Sequence, residues 1–98
     1  MQIEFTELAA IELDDAIQYY EAGISGLGKI FLDEVLETAQ LISQFPQLFS
    51  KNSEYTRRAV LSKFPYNLVY SILKDKIYII AVAHQNRAPE YWIDRIKT

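Results

Sequence analysis

Two amphipathic helical segments, then short runs rich in β-branched and aromatic residues, with only brief turns between them, predict an α+β sandwich in which helices pack on one side of a small, mainly antiparallel sheet. The stretch from Phe64 to Arg95 carries most of this expectation. Tyr66, Leu68, Tyr70 and Ile72 alternate with Asn67, Val69 and Ser71, the period of a strand with two distinct faces. Lys74-Asp75-Lys76 interrupts the run too briefly for anything but a turn, and Ile77 to Ala83 follows without a charge. Such a run marks a strand covered on both faces. The two make a central hairpin whose second strand ends at His84, with Gln85, Asn86 and Arg87 gathered just beyond it.

In chain order, Met1 to Phe5 alternates Ile3 and Phe5 with polar neighbours and reads as a strand. Thr6 is placed to cap a helix, with Glu7 in its first turn. Ala9, Leu13, Ala16, Ile17 and Tyr20 share one face of that helix, and Glu12, Asp14, Asp15 and Gln18 take the other side. Gly23 is expected just past its end, in the left-handed conformation. Ser25-Gly26-Leu27-Gly28 is a turn in which Ser25 is a candidate cap for a second helix. That helix carries Phe31, Val35, Thr38 and Ile42 on one stripe, widened by Leu32, Leu36 and Ala39, and Phe45-Pro46 ends it. So short a connection predicts an antiparallel helical hairpin. Residues 47–53 read as loop, and Tyr55 to Leu61 as a strand-like segment holding Arg57 and Arg58. Ala88-Pro89-Glu90 looks like the start of a short C-terminal helix with Trp92, Ile93 and Ile96 on its apolar face. The expected order is β-α-α-β-β-β-α.

Ninety-eight residues, half of them apolar, suit one domain over residues 1–98, able to withdraw roughly 60–70% of its unfolded surface from water. With no cysteine, disulfides and thiolate metal sites are excluded. No apolar run reaches a membrane span and no basic-then-apolar leader opens the chain, so the expectation is a soluble cytoplasmic protein with no membrane partner. The net charge of −3 conceals an asymmetry: residues 1–50 carry nine acids against Lys29 alone, and residues 51–98 carry nine bases against four acids. The acidic half reads as a solvated helical face, whereas the basic half offers a patch to an anionic partner.

His84 has no second histidine or organised carboxylate cluster beside it, so a metal site is not expected. Gly26 and Gly28 follow no strand and read as turn glycines rather than a phosphate loop. His84-x-x-Arg87 has two readings. One is a strand-end histidine bonded to a nearby carbonyl beside a surface arginine. The other is an imidazole and a guanidinium side by side, able to serve acid–base and phosphate-stabilising roles or to contact a partner. Arg57 and Arg58 point to opposite faces of a strand, so at most one joins Arg87 on a common surface.

Several pieces taken together resemble the RelE/ParE superfamily of bacterial type II toxins, of the plasmid-stabilization kind. They are Tyr19-Tyr20-Glu21, Gly26-Leu27-Gly28-x-x-Phe31-Leu32, Phe45-Pro46 and Arg57-Arg58, then Phe64-Pro65-Tyr66-x-Leu68-x-Tyr70 and Ala81-Val82-x-His84-x-x-Arg87-x-Pro89-x-Tyr91-Trp92. The set spans nearly the whole chain. The resemblance implies an N-terminal strand and helical hairpin on an antiparallel sheet, no cofactor, and a growth-inhibiting toxin kept silent by a cognate antitoxin. It allows a homodimer or a heterotetramer with the antitoxin. Two mechanisms exist in the superfamily: ribosome-dependent mRNA cleavage, and binding inhibition of DNA gyrase. Asn67 discriminates between them, because RelE-like nucleases commonly hold an arginine there and an amide supplies no equivalent cation. The reading preferred is the gyrase inhibitor, with Arg57, Arg58, Arg87 and Arg95 as target-binding residues. A nuclease would use His84, Arg87 and Tyr91 as catalytic residues, and a degenerate domain would only bind its antitoxin. Leu8, Ile11, Leu27, Ile30 and Leu48 fall off the assigned core stripes and are the expected apolar groove for the antitoxin.

Overall fold

The computed structural model describes residues 1–96. Strand β1 (Gln2–Phe5) leads into helix α1 (Glu7–Gly23), where Thr6 Oγ1 accepts the N–H of Ala9 at 3.3 Å as the expected cap. Helix α2 (Leu27–Gln44) completes the hairpin and ends at Phe45, before Pro46. Strands β2 (Arg57–Val60), β3 (Tyr66–Leu73) and β4 (Lys76–His84) follow, and a single 3₁₀ turn spans Ile93–Ile96. Among the described residues no helix is long and apolar enough to cross a membrane.

The four strands lie in the order β1-β4-β3-β2, with β1 parallel to β4 and the other pairs antiparallel. The two apolar strands therefore occupy the centre, and both of their faces are covered. On the helix side Phe31, Val35 and Ile42 meet Leu68, Tyr70, Ile77, Ile79 and Val82. Tyr20, Phe31 and Phe64 pack edge to face or tilted, with ring centroids 4.8–5.2 Å apart. On the outer side Val69, Ile80, Ala81 and Ala83 are covered by Trp92. Alternation alone does not place Ile80 and Ala81 on one face. A bulge does: Val69 pairs with Ala81 and Tyr70 with Ile79, which leaves Ile80 as the extra residue.

Three local expectations are corrected. Gly23 is the last residue of α1 rather than a left-handed stop, and the left-handed glycine is Gly26, with φ 91°. Ser25 does not cap α2. Glu21 does so from the end of α1, its carboxylate accepting the N–H groups of Gly26 at 2.9 Å and Gly28 at 3.0 Å. A carboxylate against unsatisfied N–H groups at the positive end of the helix is a stronger cap than a hydroxyl. The C-terminal helix expected from Ala88 is a turn instead, because Glu90 takes φ 60° and, among the described residues, a 3₁₀ turn at Ile93–Ile96 follows it.

Candidate functional site

Strand β1 accompanies β4 only from Gln2 opposite Lys76 to Phe5 opposite Ile79, and the chain then turns into α1. From Ile80 to His84 the edge of β4 on that side has no strand beside it among the described residues, so its main-chain groups need other partners. Glu12 on α1 and Arg95 on the 3₁₀ turn supply them. The N–H of Val82 donates to Glu12 Oε1 at 3.0 Å, and the carbonyl of Ile80 accepts from Arg95 Nη1 at 2.9 Å. Glu12 and Arg95 also pair with each other through both guanidinium nitrogens, at 2.9 and 3.0 Å, and Tyr91 Oη donates to Glu12 Oε2 at 2.7 Å. The side chains of Glu12 and Arg95 are only 17% and 19% exposed, so this pair is screened less than a surface bridge. Burial by itself would raise the Glu12 carboxyl pKa, but the bonds from Arg95, Tyr91 and Val82 outweigh it and hold it below its ordinary value. The Tyr91 phenol is pushed far up by burial and by the carboxylate that accepts its proton.

The segment clamped in this way begins at the His84–Arg87 turn. The N–H of Arg87 donates to the carbonyl of His84 at 3.0 Å, and the N–H of Asn86 donates to His84 Nδ1 at 3.0 Å. The H-x-x-R spacing is therefore first of all a β-turn, with the histidine ring bonded to its own turn. Because Nδ1 accepts a hydrogen bond, the neutral imidazole carries its proton on Nε2. The ring edge also rests on Tyr66, with centroids 5.0 Å apart.

A cleft of about 230 Å³ opens where this turn meets the outer face of the sheet, lined by Arg58, Asn67, His84, Arg87, Tyr91 and Trp92 among others. The guanidinium of Arg87 lies over the Tyr91 ring, 4.0 Å from its centroid. Neither Arg58 nor Arg87 forms an ion pair among the described residues. The opposite-face expectation for the arginine pair is met: Arg58 joins Arg87, whereas Arg57 turns to the helix side. There Arg57 bonds the carbonyls of Phe49 at 2.6 Å and Gln47 at 3.3 Å, and Gln47 Oε1 at 2.9 Å, which pins the loop after α2. Of the four arginines expected to bind a target, Arg57 and Arg95 are thus engaged inside the molecule. A wider cleft of about 1070 Å³ is lined by Tyr55, Tyr78, Ile80 and Ile93, and its two arginines are these same engaged ones.

A family model described as the ParE toxin of the type II toxin-antitoxin system, parDE, matches residues 3–89. The chain belongs to the ParE toxin family. A solved structure described as the chromosomal ParDE TA system from P. aeruginosa is similar over 86% of this chain and 95% of that one, with TM-score 0.77 at 17% identity. At that identity the likeness concerns the fold. A search of the curated proteins found no match.

Within this ParE toxin fold, the pieces that carry the resemblance turn out to be largely structural. Tyr20, Phe31, Phe64 and Tyr66 are one aromatic cluster, Glu21 and Gly28 close the helical hairpin, and Tyr70 Oη donates to the carbonyl of Pro46 at 2.7 Å. The residue that sequence reasoning misplaces is Glu12. Grouped with Asp14, Asp15 and Gln18 it belongs on the solvent side, yet its number is three beyond Ala9 and four before Ala16, both buried, so the same helical period puts it on the inner face. A single acid on an apolar stripe is the available signal.

Proposed function

We propose that this chain, acting as one domain over residues 1–98, is a cytoplasmic toxin silenced by a cognate antitoxin, and that it acts by binding DNA gyrase rather than by cutting RNA. One observation carries the choice between binding and cleavage. Of the two groups a nuclease would use for proton transfer, Tyr91 Oη is committed to the Glu12 carboxylate, and His84 keeps only Nε2, its Nδ1 accepting the Asn86 N–H. Asn67, in the same cleft, adds no cation. What the cleft does offer is Arg58 and Arg87, donors suited to a protein contact. Gyrase as the target is supported by membership of the ParE family.

The antitoxin part of the reading is supported by apolar surface. Leu8, Ile11, Ile30 and Leu48 are exposed, as a groove would require, whereas Leu27 packs against the core and leaves the set. The nuclease remains the second reading because His84, Arg87 and Tyr91 do line one cleft. Expression without an antitoxin separates the readings. Binding inhibition leaves transcripts intact while supercoiling by purified gyrase falls, and Arg58→Ala and Arg87→Ala weaken the effect. Rapid mRNA cleavage with normal supercoiling overturns the order, and unimpaired growth reduces the chain to an antitoxin-binding domain.

A further inference from the structure

Arg87 is exposed, but its guanidinium is held. At 4.0 Å from the Tyr91 centroid it gains a cation–π contact that favours the stacked rotamer roughly two- to fivefold. Its main-chain N–H is fixed by the His84 carbonyl, so the side chain is anchored at both ends. The platform is itself anchored. Tyr91 Oη is bonded to Glu12, Arg95 lies 5.2 Å from the centroid of the same ring, and Trp92 is buried in the outer core beside it. Glu12 is in turn fixed by Val82 and Arg95. A chain of contacts thus runs from the first helix to the tip of an arginine in the cleft.

We infer that Tyr91 is a positioning residue for Arg87, and that Glu12 sets the direction of Arg87 by fixing the Tyr91 hydroxyl. The inference rests on the reading of this cleft as the target-binding surface. Its physical content is preorganisation: an arginine already stacked gives up less rotamer freedom when its partner arrives.

The test uses the full chain and purified gyrase, with thermal unfolding to check that each variant folds. In the wild type, the side-chain protons of Arg87 are shifted upfield in NMR spectra by the Tyr91 ring current. Tyr91→Leu abolishes that shift and weakens inhibition of supercoiling about fivefold, and Arg87→Ala weakens it at least as much. The double variant is no worse than Arg87→Ala alone, because the platform matters only through what it carries. Tyr91→Phe keeps the ring and loses only the hydroxyl bond, so it falls between wild type and Tyr91→Leu. Glu12→Gln likewise weakens inhibition in the wild-type background and has no effect on top of Arg87→Ala. Additive losses in the double variants, or Arg87 shifts unchanged in Tyr91→Leu, overturn the inference and leave the gyrase reading standing. A folded wild-type chain that leaves supercoiling untouched overturns the gyrase reading itself.

Discussion

Glu12 satisfies three separate parts of the molecule with two oxygens: a strand edge, a phenol and a guanidinium. Removing it strands a main-chain N–H and leaves Arg95 without its counter-ion, a loss of about 2–3 kcal/mol for a mostly buried pair. Glu12→Ala is therefore expected to lower unfolding stability by that amount in urea and to speed amide exchange at Val82 more than at Ile77. The carboxyl also makes stability depend on acid. Its folded pKa is lowered from the ordinary 4.5, so its contribution is complete above that value and is lost as pH falls through the lower folded pKa. Glu34 behaves alike. Burial opposes its ionisation, but the hydroxyl and N–H of Ser62 and the N–H of Lys63 lower its pKa and tie α2 to the β2–β3 turn. Stability measured against pH should fall off below about 4.5. The Glu12→Gln, Glu34→Gln double variant should be less stable at neutral pH and lose the steep part of that decline.

The helical hairpin shows how position governs what a glycine contributes. A Cβ at Gly28 would meet the Ile17 carbonyl oxygen at 2.8 Å and Glu21 Oε1 at 2.9 Å, so the two helices touch only because this residue has no side chain. Gly28→Ala is expected to cost about 1–3 kcal/mol. At Gly23, inside the last turn of α1, an added methyl would meet no atom within 4 Å, and Gly23→Ala should gain about 0.5–1 kcal/mol. Thermal unfolding of the two variants checks both signs, and shifts in the same direction would contradict the contrast between the two sites. At the C-terminus the element is better described as a strap than as a helix. Glu90 breaks the helical path, and Trp92, Glu12 and Arg95 hold the segment in place of helical hydrogen bonds.

The whole molecule is a sheet with unlike covers. A helical hairpin from the acidic half lies on one face, and a short strap from the basic half lies on the other. Strands β3 and β4 are enclosed between them, so the amides of Ile77 and Ile79 are expected to exchange far more slowly than those of residues 47–53. Hydrogen exchange read by NMR decides this, and equal rates would refute the central position of β4. The same arrangement separates two surfaces. Exposed Leu8, Ile11 and Ile30 sit on the helices, and the cleft of Arg58 and Arg87 sits on the outer face of the sheet. On the proposed function, antitoxin and target use different sides, so Arg87→Ala is expected to weaken gyrase inhibition while leaving co-purification with the antitoxin unchanged.

Strand and helix periodicity, the Thr6 cap, the Pro46 stop and the turn after Leu73, expected over Lys74-Asp75-Lys76 although Lys76 already begins β4, are local properties, and the order and centre of the fold can be read from them. The opposite facing of Arg57 and Arg58 is legible for the same reason, since it depends only on alternation along one strand. The roles of the charged residues are not. Glu12 meets Val82, Tyr91 and Arg95 across 70, 79 and 83 residues of chain, and those meetings follow from where β1 happens to end beside β4. In the sequence Arg57 and Arg95 look as available as Arg58 and Arg87, because a guanidinium there carries no mark of whether a carbonyl or carboxylate waits within hydrogen-bonding reach. Only packing decides that: β4 outruns its neighbour and recruits Arg95 and Glu12 to its exposed main-chain groups, the loop after α2 brings the Gln47 and Phe49 carbonyls to Arg57, and side chains so recruited are no longer free for a partner.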